Sequence, residues 1–365
     1  MEELHLVPPA SHAVPEKQLR VVAIGGGTGL STLLRGLKHY VAVPDRRKLR
    51  VPIPNDRRRK QSSAYKAEKC VIGDLSAVVT VTDDGGSSGR LREDFKMLPP
   101  GDVRNCMVAL SEDEHLLSQL FKFRFDQGEL EGHSFGNLFV AALSHITGDF
   151  AQAVQMSSQI LATRGRIFPA TNTNVTLAAR MNDGSLVEGE TNITASPHRI
   201  VELMLRPDTA EPLPETLDAI ANADLITLGP GSLYTSLITN LLVKGIPEAI
   251  AESKATRVFV CNLMTQANES IGLTASQHIE KILNHCGHNI FDYALINTTP
   301  ISPDIVARYA SEGQQPIEAD LARIRALGIE PITGDFAHEG DVLRHDYDFV
   351  AAALLSLAQG RSITA

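Results

Sequence analysis

Apolar residues follow two rhythms along the chain. Short aliphatic runs of four to six residues, at Arg20–Ile24, Ala77–Thr82, Leu225–Leu228, Val258–Asn262 and Tyr293–Asn297, each stop at or near a polar or glycine-rich cluster. After several of these clusters the spacing changes to that of a helix. Leu30, Leu33, Leu34 and Leu37 recur at i, i+3, i+4 and i+7 after Gly25–Gly29, and Leu233, Leu237, Ile238 and Leu241 follow Gly229–Ser232. The first rhythm suits strands buried on both faces, and the second suits amphipathic helices packed against them. The same spacing predicts helices near 102–111, 114–124, 274–286, 318–327 and 346–359. Another opens at His133, with Phe135, Leu138, Phe139, Ala142, Leu143 and Ile146 on one face. A short strand is expected near Ile329–Ile332, and Asn182-Asp183-Gly184-Ser185 reads as a hairpin turn. Alternating strands and helices predict an α/β fold with a mostly parallel sheet covered on both faces.

Composition narrows this picture. The chain has 365 residues, 43% of them hydrophobic, with no Trp and only 5% aromatics. Such a core is large and aliphatic, which excludes disorder throughout. Pro-rich polar residues 1–18 are expected to form a mobile tail, and residues 19–360 one α/β domain. The net charge of −9 is uneven: residues 45–69 carry ten Lys or Arg and three acids. Pro44, Pro52 and Pro54 break any long helix there, so this stretch reads as an inserted surface loop. With the remaining chain strongly acidic, no nucleic-acid partner is expected. Cys70, Cys106, Cys261 and Cys286 stand at neither zinc-finger nor redox spacing and read as reduced thiols. The N-terminus has no apolar signal region, and the longest uncharged stretch, Leu225–Val243, is broken by Gly229, Pro230 and Gly231. A cytoplasmic protein without a membrane span is therefore expected.

Four junctions carry the candidate chemistry: Gly25–Gly29, Asp83–Arg90, His133–Asn137 and Gly229–Ser232. In a doubly wound sheet such junctions gather at the carboxyl edge, where glycines admit a ligand to the backbone and helix N-termini offer amides to phosphate. Together they point to a nucleotide or diphosphate ligand, although each alone could be a tight turn. Two named motifs fail. The third glycine of a dinucleotide fingerprint is replaced by Leu30, and Gly29 lacks the following Lys of a P-loop. The Asp83–Arg90 loop differs in offering two carboxylates, Asp83 and Asp84, ahead of Gly85, Gly86, Ser87 and Ser88. These acids suit a magnesium ion or a general base, or else a simple turn cap. Asp102 and Asn105 lie just beyond, and Asp102 is equally suited to cap its helix.

The segments VVAIGGGTGLSTLLRGLK, VVTVTDDGGSSGRLREDF, LPPGDVRNCMVAL, GHSFGNLFVAAL, TNTNVTLAA, LGPGSLYTSLITNLL, VCNLMTQANES and VLRHD, in this order, resemble the bacterial gluconeogenesis factor family. That family is a branch of the superfamily containing 2-phospho-L-lactate transferase. The resemblance implies a Rossmann-like α/β domain with a smaller added subregion. It implies a cytoplasmic regulator that binds UDP-sugars such as UDP-N-acetylglucosamine, linked to cell shape and wall-precursor supply in gluconeogenic growth. An amino-sugar or cell-wall enzyme as partner, and a homodimer, are in keeping with it. The transferase relatives use magnesium and a nucleoside diphosphate donor, so a magnesium-dependent transferase of a phospho-organic acid group is the alternative. By this resemblance Gly26, Gly27, Thr28 and Gly29 form the first nucleotide loop, and Asp83 is metal-proximal or catalytic. Ser134, Gly136 and Asn137 form a second phosphate-facing loop, and Gly229, Gly231 and Ser232 a third. Tyr309 and Arg344 take the places linked to UDP-sugar binding. Three departures stand out: the long insert, MTQANESIGL in place of an MTQPGET-like run, and Tyr347 where some relatives carry a phosphorylated Thr.

Overall fold

The computed structural model describes residues 18–42, 71–112 and 119–360. The N-terminal tail, the basic insert and most of the first half of the helix expected at 114–124 lie outside the described residues. The chain opens with β1 (Leu19–Gly25) and α1 (Gly27–Lys38), then β2 (Ile72–Val79), α2 (Gly86–Phe95) and α3 (Gly101–Leu110). Helices α4 (Phe135–Thr147) and α5 (Phe150–Ile160) lead to β3 (Arg166–Pro169). A small antiparallel sheet follows, of β4 (Thr176–Met181), β5 (Leu186–Glu188) and β6 (Ile200–Arg206). The second half supplies β7 (Leu225–Leu228), β8 (Thr256–Val260), β9 (Tyr293–Asn297) and β10 (Glu330–Gly334), then the two-residue strands β11 (Ala337–His338) and β12 (Arg344–His345).

Seven parallel strands form the central sheet in the order β10-β9-β8-β7-β1-β2-β3. The first half winds outward from β1 in one direction and the second half from β7 in the other. The strand order therefore reverses between β1 and β7, which is where open α/β sheets bind ligands. Val21, Val22, Ala23 and Ile24 of β1 are all buried, as a central strand covered on both faces requires. Leu30, Leu33, Leu34 and Leu37 bury one stripe of α1, and Gly36 lets that helix touch the last one, Tyr347–Ala358. Among the described residues no helix is long and apolar enough to cross a membrane.

The structure adjusts several boundaries. β2 runs over Ile72–Val79 rather than from Ala77 to Thr82, because Thr80 N donates to Gly25 O and the chain then leaves the ladder. Its early residues Gly73 and Asp74 are poor strand formers, held there by pairing with β1. Asp83–Arg90 is only half a loop. Helix α2 starts at Gly86, and Ser87 and Ser88 lie buried in its first turn. The helix after Gly229–Ser232 opens as a π turn over Leu233–Ile238 before Thr239–Leu241 resumes α geometry.

Candidate functional site

A cleft of about 400 Å³ opens over the carboxyl ends of β1, β7 and β8. Its floor is Gly26, Gly27, Thr28 and Gly29, at the start of α1. Gly27 needs its glycine, since its φ of +61° is left-handed. Gly29 has a different reason: a methyl there would lie 2.2 Å from Pro230 O. The two glycine loops thus touch backbone to backbone. Pro230, Gly231 and Ser232 form the adjoining wall, while Gly229 lies below it, with φ +87° and no room for a side chain, since an added methyl would lie 2.8 Å from Val260 O.

Asn262 fixes that wall. Its Oδ1 accepts from Gly231 N at 3.1 Å and its Nδ2 donates to Gly231 O at 2.7 Å, so one amide pairs with both sides of a turn residue. Gln266 Nε2 donates to Ser232 Oγ at 3.0 Å. The buried Glu269 carboxylate accepts from Tyr234 N at 3.2 Å and Thr235 Oγ1 at 3.1 Å at the start of the π turn, and burial raises its pKa. Asn240 Nδ2 donates to Gly25 O, tying the end of β1 to the helix beyond the turn.

The far wall comes from late in the chain. Tyr309, Gln314, Leu343, Arg344 and His345 line it, and the Tyr309 hydroxyl accepts from Leu343 N at 3.2 Å. His345 Nε2 donates to Cys261 O at 3.0 Å, and burial lowers its pKa to about 4, so it is neutral at physiological pH. Among the described residues neither Asp nor Glu lines this cleft, and Arg344 is its one fully charged side chain. The arrangement can receive an anion on backbone amides and a guanidinium.

The acids lie behind the floor. Asp102 accepts from Gly27 N, and burial, reinforced by Asp83, raises its pKa to about 6. Glu190 rises further, to about 9, first through burial and then through Asp83 and Asp102. Its Oε2 accepts from Thr82 Oγ1 at 3.3 Å. Asp83 and Glu190 face a separate shallow hollow. Asp83 Oδ1 accepts from Gly85 N at 2.9 Å, and Asp84 Oδ1 accepts from Thr191 N and Oγ1 at 2.8 and 2.6 Å. Among the described residues no three His, Cys, Asp or Glu side chains stand close enough to hold a metal ion jointly.

Of the residues singled out from sequence, the structure gathers Gly26, Gly27, Thr28, Gly29, Gly231, Ser232, Tyr309 and Arg344 in one cleft. Asn105 instead lines an adjoining side cleft. Gly85 and Gly86 lead into α2, and Ser87 and Ser88 turn inward. Ser87 Oγ lies 3.1 Å from His133 Nδ1, and Asn137 Nδ2 donates to Ser88 Oγ at 3.5 Å. Ser134 caps α4 by accepting from Asn137 N, and Gly136 packs against Arg104 and Phe121. These three junction residues are buried behind α2 and do not line the main cleft. Asn262, Gln266, Gln314, His345 and Glu190 escaped the reading of side-chain roles. The polar run after β8 had a usable signal, because it follows a strand at the same sheet edge as the two glycine loops.

The family model described as 2-phospho-L-lactate transferase CofD matches residues 21–337. The gluconeogenesis factor of Halalkalibacterium halodurans is 45% identical over 341 residues, covering 93% of this chain and 96% of that protein. The gluconeogenesis factor of Bacillus subtilis is 42% identical over 340 residues, with coverage of 93% and 98%. A crystal structure of a UPF0052-family protein from Bacillus halodurans has a TM-score of 0.83 at 44% identity, covering 93% of this chain and 99% of that one.

Proposed function

Because the chain belongs to the 2-phospho-L-lactate transferase CofD family and, within it, to the gluconeogenesis factors, we propose that it is a regulator that binds a nucleotide sugar in the main cleft. The ligand is a UDP-sugar such as UDP-N-acetylglucosamine, and the setting is cytoplasmic control of wall-precursor supply and cell shape during gluconeogenic growth. The observation that carries this reading is the meeting of Gly26–Gly29, Gly231–Ser232, Asn262–Gln266 and Arg344 around one cleft that, among the described residues, is free of carboxylates. Backbone amides and a guanidinium suit a pyrophosphate, and the amides of Asn262, Gln266 and Gln314 suit a base or sugar hydroxyls. Bound ligand would bias the chain toward a conformation competent for an amino-sugar or cell-wall enzyme, by no more than its differential affinity for the two states. Calorimetry with UDP-N-acetylglucosamine, GDP and NAD, each with magnesium and with chelator, tests this. Tight UDP-sugar binding that survives chelation and yields no product is the expected result; binding of GDP or NAD alone sinks it.

A second reading, magnesium-dependent group transfer, is favoured by Asp83. Its Oδ2 has no hydrogen-bond partner among the described residues, while Oδ1 is held by Gly85 N. Magnesium takes one or two carboxylates together with phosphate oxygens, so Asp83 would hold it and its charge would stabilise a leaving phosphate. Asp102, holding Gly27 N, positions the adjoining glycine loop. Nucleotide release that requires both magnesium and Asp83 would support this reading over the first.

A further inference from the structure

A second cleft of about 300 Å³ wraps around the first turns of α1 and shares Thr28, Thr32, Arg344 and His345 with the main one. Among the described residues it carries Arg35, Lys122 and Arg344, and neither Asp nor Glu lines it. Arg35 is the unusual member. Among the described residues five arginines are half-buried, and Arg92, Arg104, Arg164 and Arg257 each hydrogen-bond to a carbonyl, hydroxyl, amide or carboxylate oxygen. Arg35 has no such partner among the described residues. A cation drawn partly out of water without a counter-charge is unfavourable unless a ligand supplies one. Asn105, on the opposite wall, has its Oδ1 taken by Arg104 Nη2 at 2.9 Å, which leaves Nδ2 as a donor.

We propose that this side cleft is a binding site for an anionic group, a carboxylate or phosphate, held by Arg35, Lys122 and Arg344 with Asn105. Guanidinium recognises both groups through paired N–H donors. Because the two clefts share a wall at Thr28 and Arg344, the anion is either carried at the far end of the nucleotide-linked ligand or is a separate small ion. The first source rests on the nucleotide reading above; the second stands without it.

The test compares UDP-glucuronate with UDP-glucose, which differ by a carboxylate in place of a hydroxymethyl group, and adds inorganic phosphate as a third titrant. Each is titrated calorimetrically into the full chain, Arg35→Ala and Arg35→Lys, with circular dichroism and thermal melting to verify folding. If the ligand carries the anion, wild type binds UDP-glucuronate roughly tenfold or more tighter than UDP-glucose, the scale of one charged hydrogen-bonded contact. Arg35→Ala removes that preference and leaves UDP-glucose affinity unchanged, and Arg35→Lys restores part of it. If the anion is separate, phosphate binds wild type and is lost in Arg35→Ala, with no preference between the two sugars. A carboxylate preference or phosphate binding that persists in folded Arg35→Ala overturns the proposal, as does the absence of both in wild type. Failure of UDP-glucose to bind at all would count against the nucleotide reading, and the phosphate titration would then decide the side cleft alone.

Discussion

Glu190 and Arg344 make opposite demands on their surroundings. Glu190 sits among Asp83, Asp84 and Asp102, and its pKa rises from an ordinary 4.5 to about 9. The folded chain therefore holds more protons than the unfolded one between about pH 4.5 and 9, and stability falls as pH rises through that window. Glu190→Gln is expected to flatten this slope and to raise the melting temperature at pH 8 relative to wild type. Thermal denaturation at pH 5, 7 and 9 measures it, and an unchanged slope would contradict the burial assigned to this carboxyl. Arg344 is exposed, and its guanidinium has no hydrogen bond or ion pair among the described residues. Arg344→Ala should leave the denaturant midpoint unaltered and weaken UDP-N-acetylglucosamine binding by about 10- to 100-fold, the range for a hydrogen bond to a charged group. Calorimetry on the folded variant checks this.

Elements meet here through backbone as much as through side chains. α1 crosses the last helix at Gly36, where an added methyl would lie 2.2 Å from Tyr347 O. Gly36→Ala sets two effects against each other. Helix propensity favours Ala by about 1 kcal/mol. Overpacking against a backbone carbonyl, which cannot rotate away, costs typically about 1–3 kcal/mol. The second should win, with lower stability by urea unfolding. Asn262 is the corresponding lock between β8 and the Gly231 turn. Asn262→Ala removes both hydrogen bonds and leaves two turn groups less satisfied, a loss of about 1–3 kcal/mol. Nucleotide affinity should fall with it, because Gly231 and Ser232 lose their support. Intact affinity in a destabilised variant would separate the lock from the site. Long periodic elements such as α1 and Ala275–Cys286 were legible from spacing. Short ones, including β3 and Glu190–Ala195, were not, because they carry too few residues for a period and exist through tertiary pairing.

For the whole molecule, the cleft joins the two halves of the winding. Gly26–Gly29 comes from the first half, while Gly231, Asn262, Tyr309 and Arg344 come from the second. A ligand bound across them favours the folded chain by mass action, about 2.7 kcal/mol at a free concentration 100 times Kd. Thermal melting with UDP-N-acetylglucosamine should therefore rise by a few degrees in wild type and stay flat in Arg344→Ala. A rise of equal size in both would remove Arg344 from the site.

Sequence alone determined the alternation of strand and helix, the aliphatic core and the glycine-rich turns. Each of these is a local property, set by side-chain period or by the backbone freedom of glycine. It also marked Gly26–Gly29, Gly231, Ser232, Tyr309 and Arg344, through motifs whose order along the chain is specific. Only the tertiary structure decided which turns share a cleft. The reversal of strand order between β1 and β7 sets two glycine loops side by side, whereas His133–Asn137 packs behind α2. It also decided that Asp102 supports the floor of the cleft, that Glu190 joins acids that lie far earlier in the chain, and that Arg35 faces a cleft lined with cations. Burial and the charge of distant neighbours govern those outcomes, and neither is a property of any short stretch of chain.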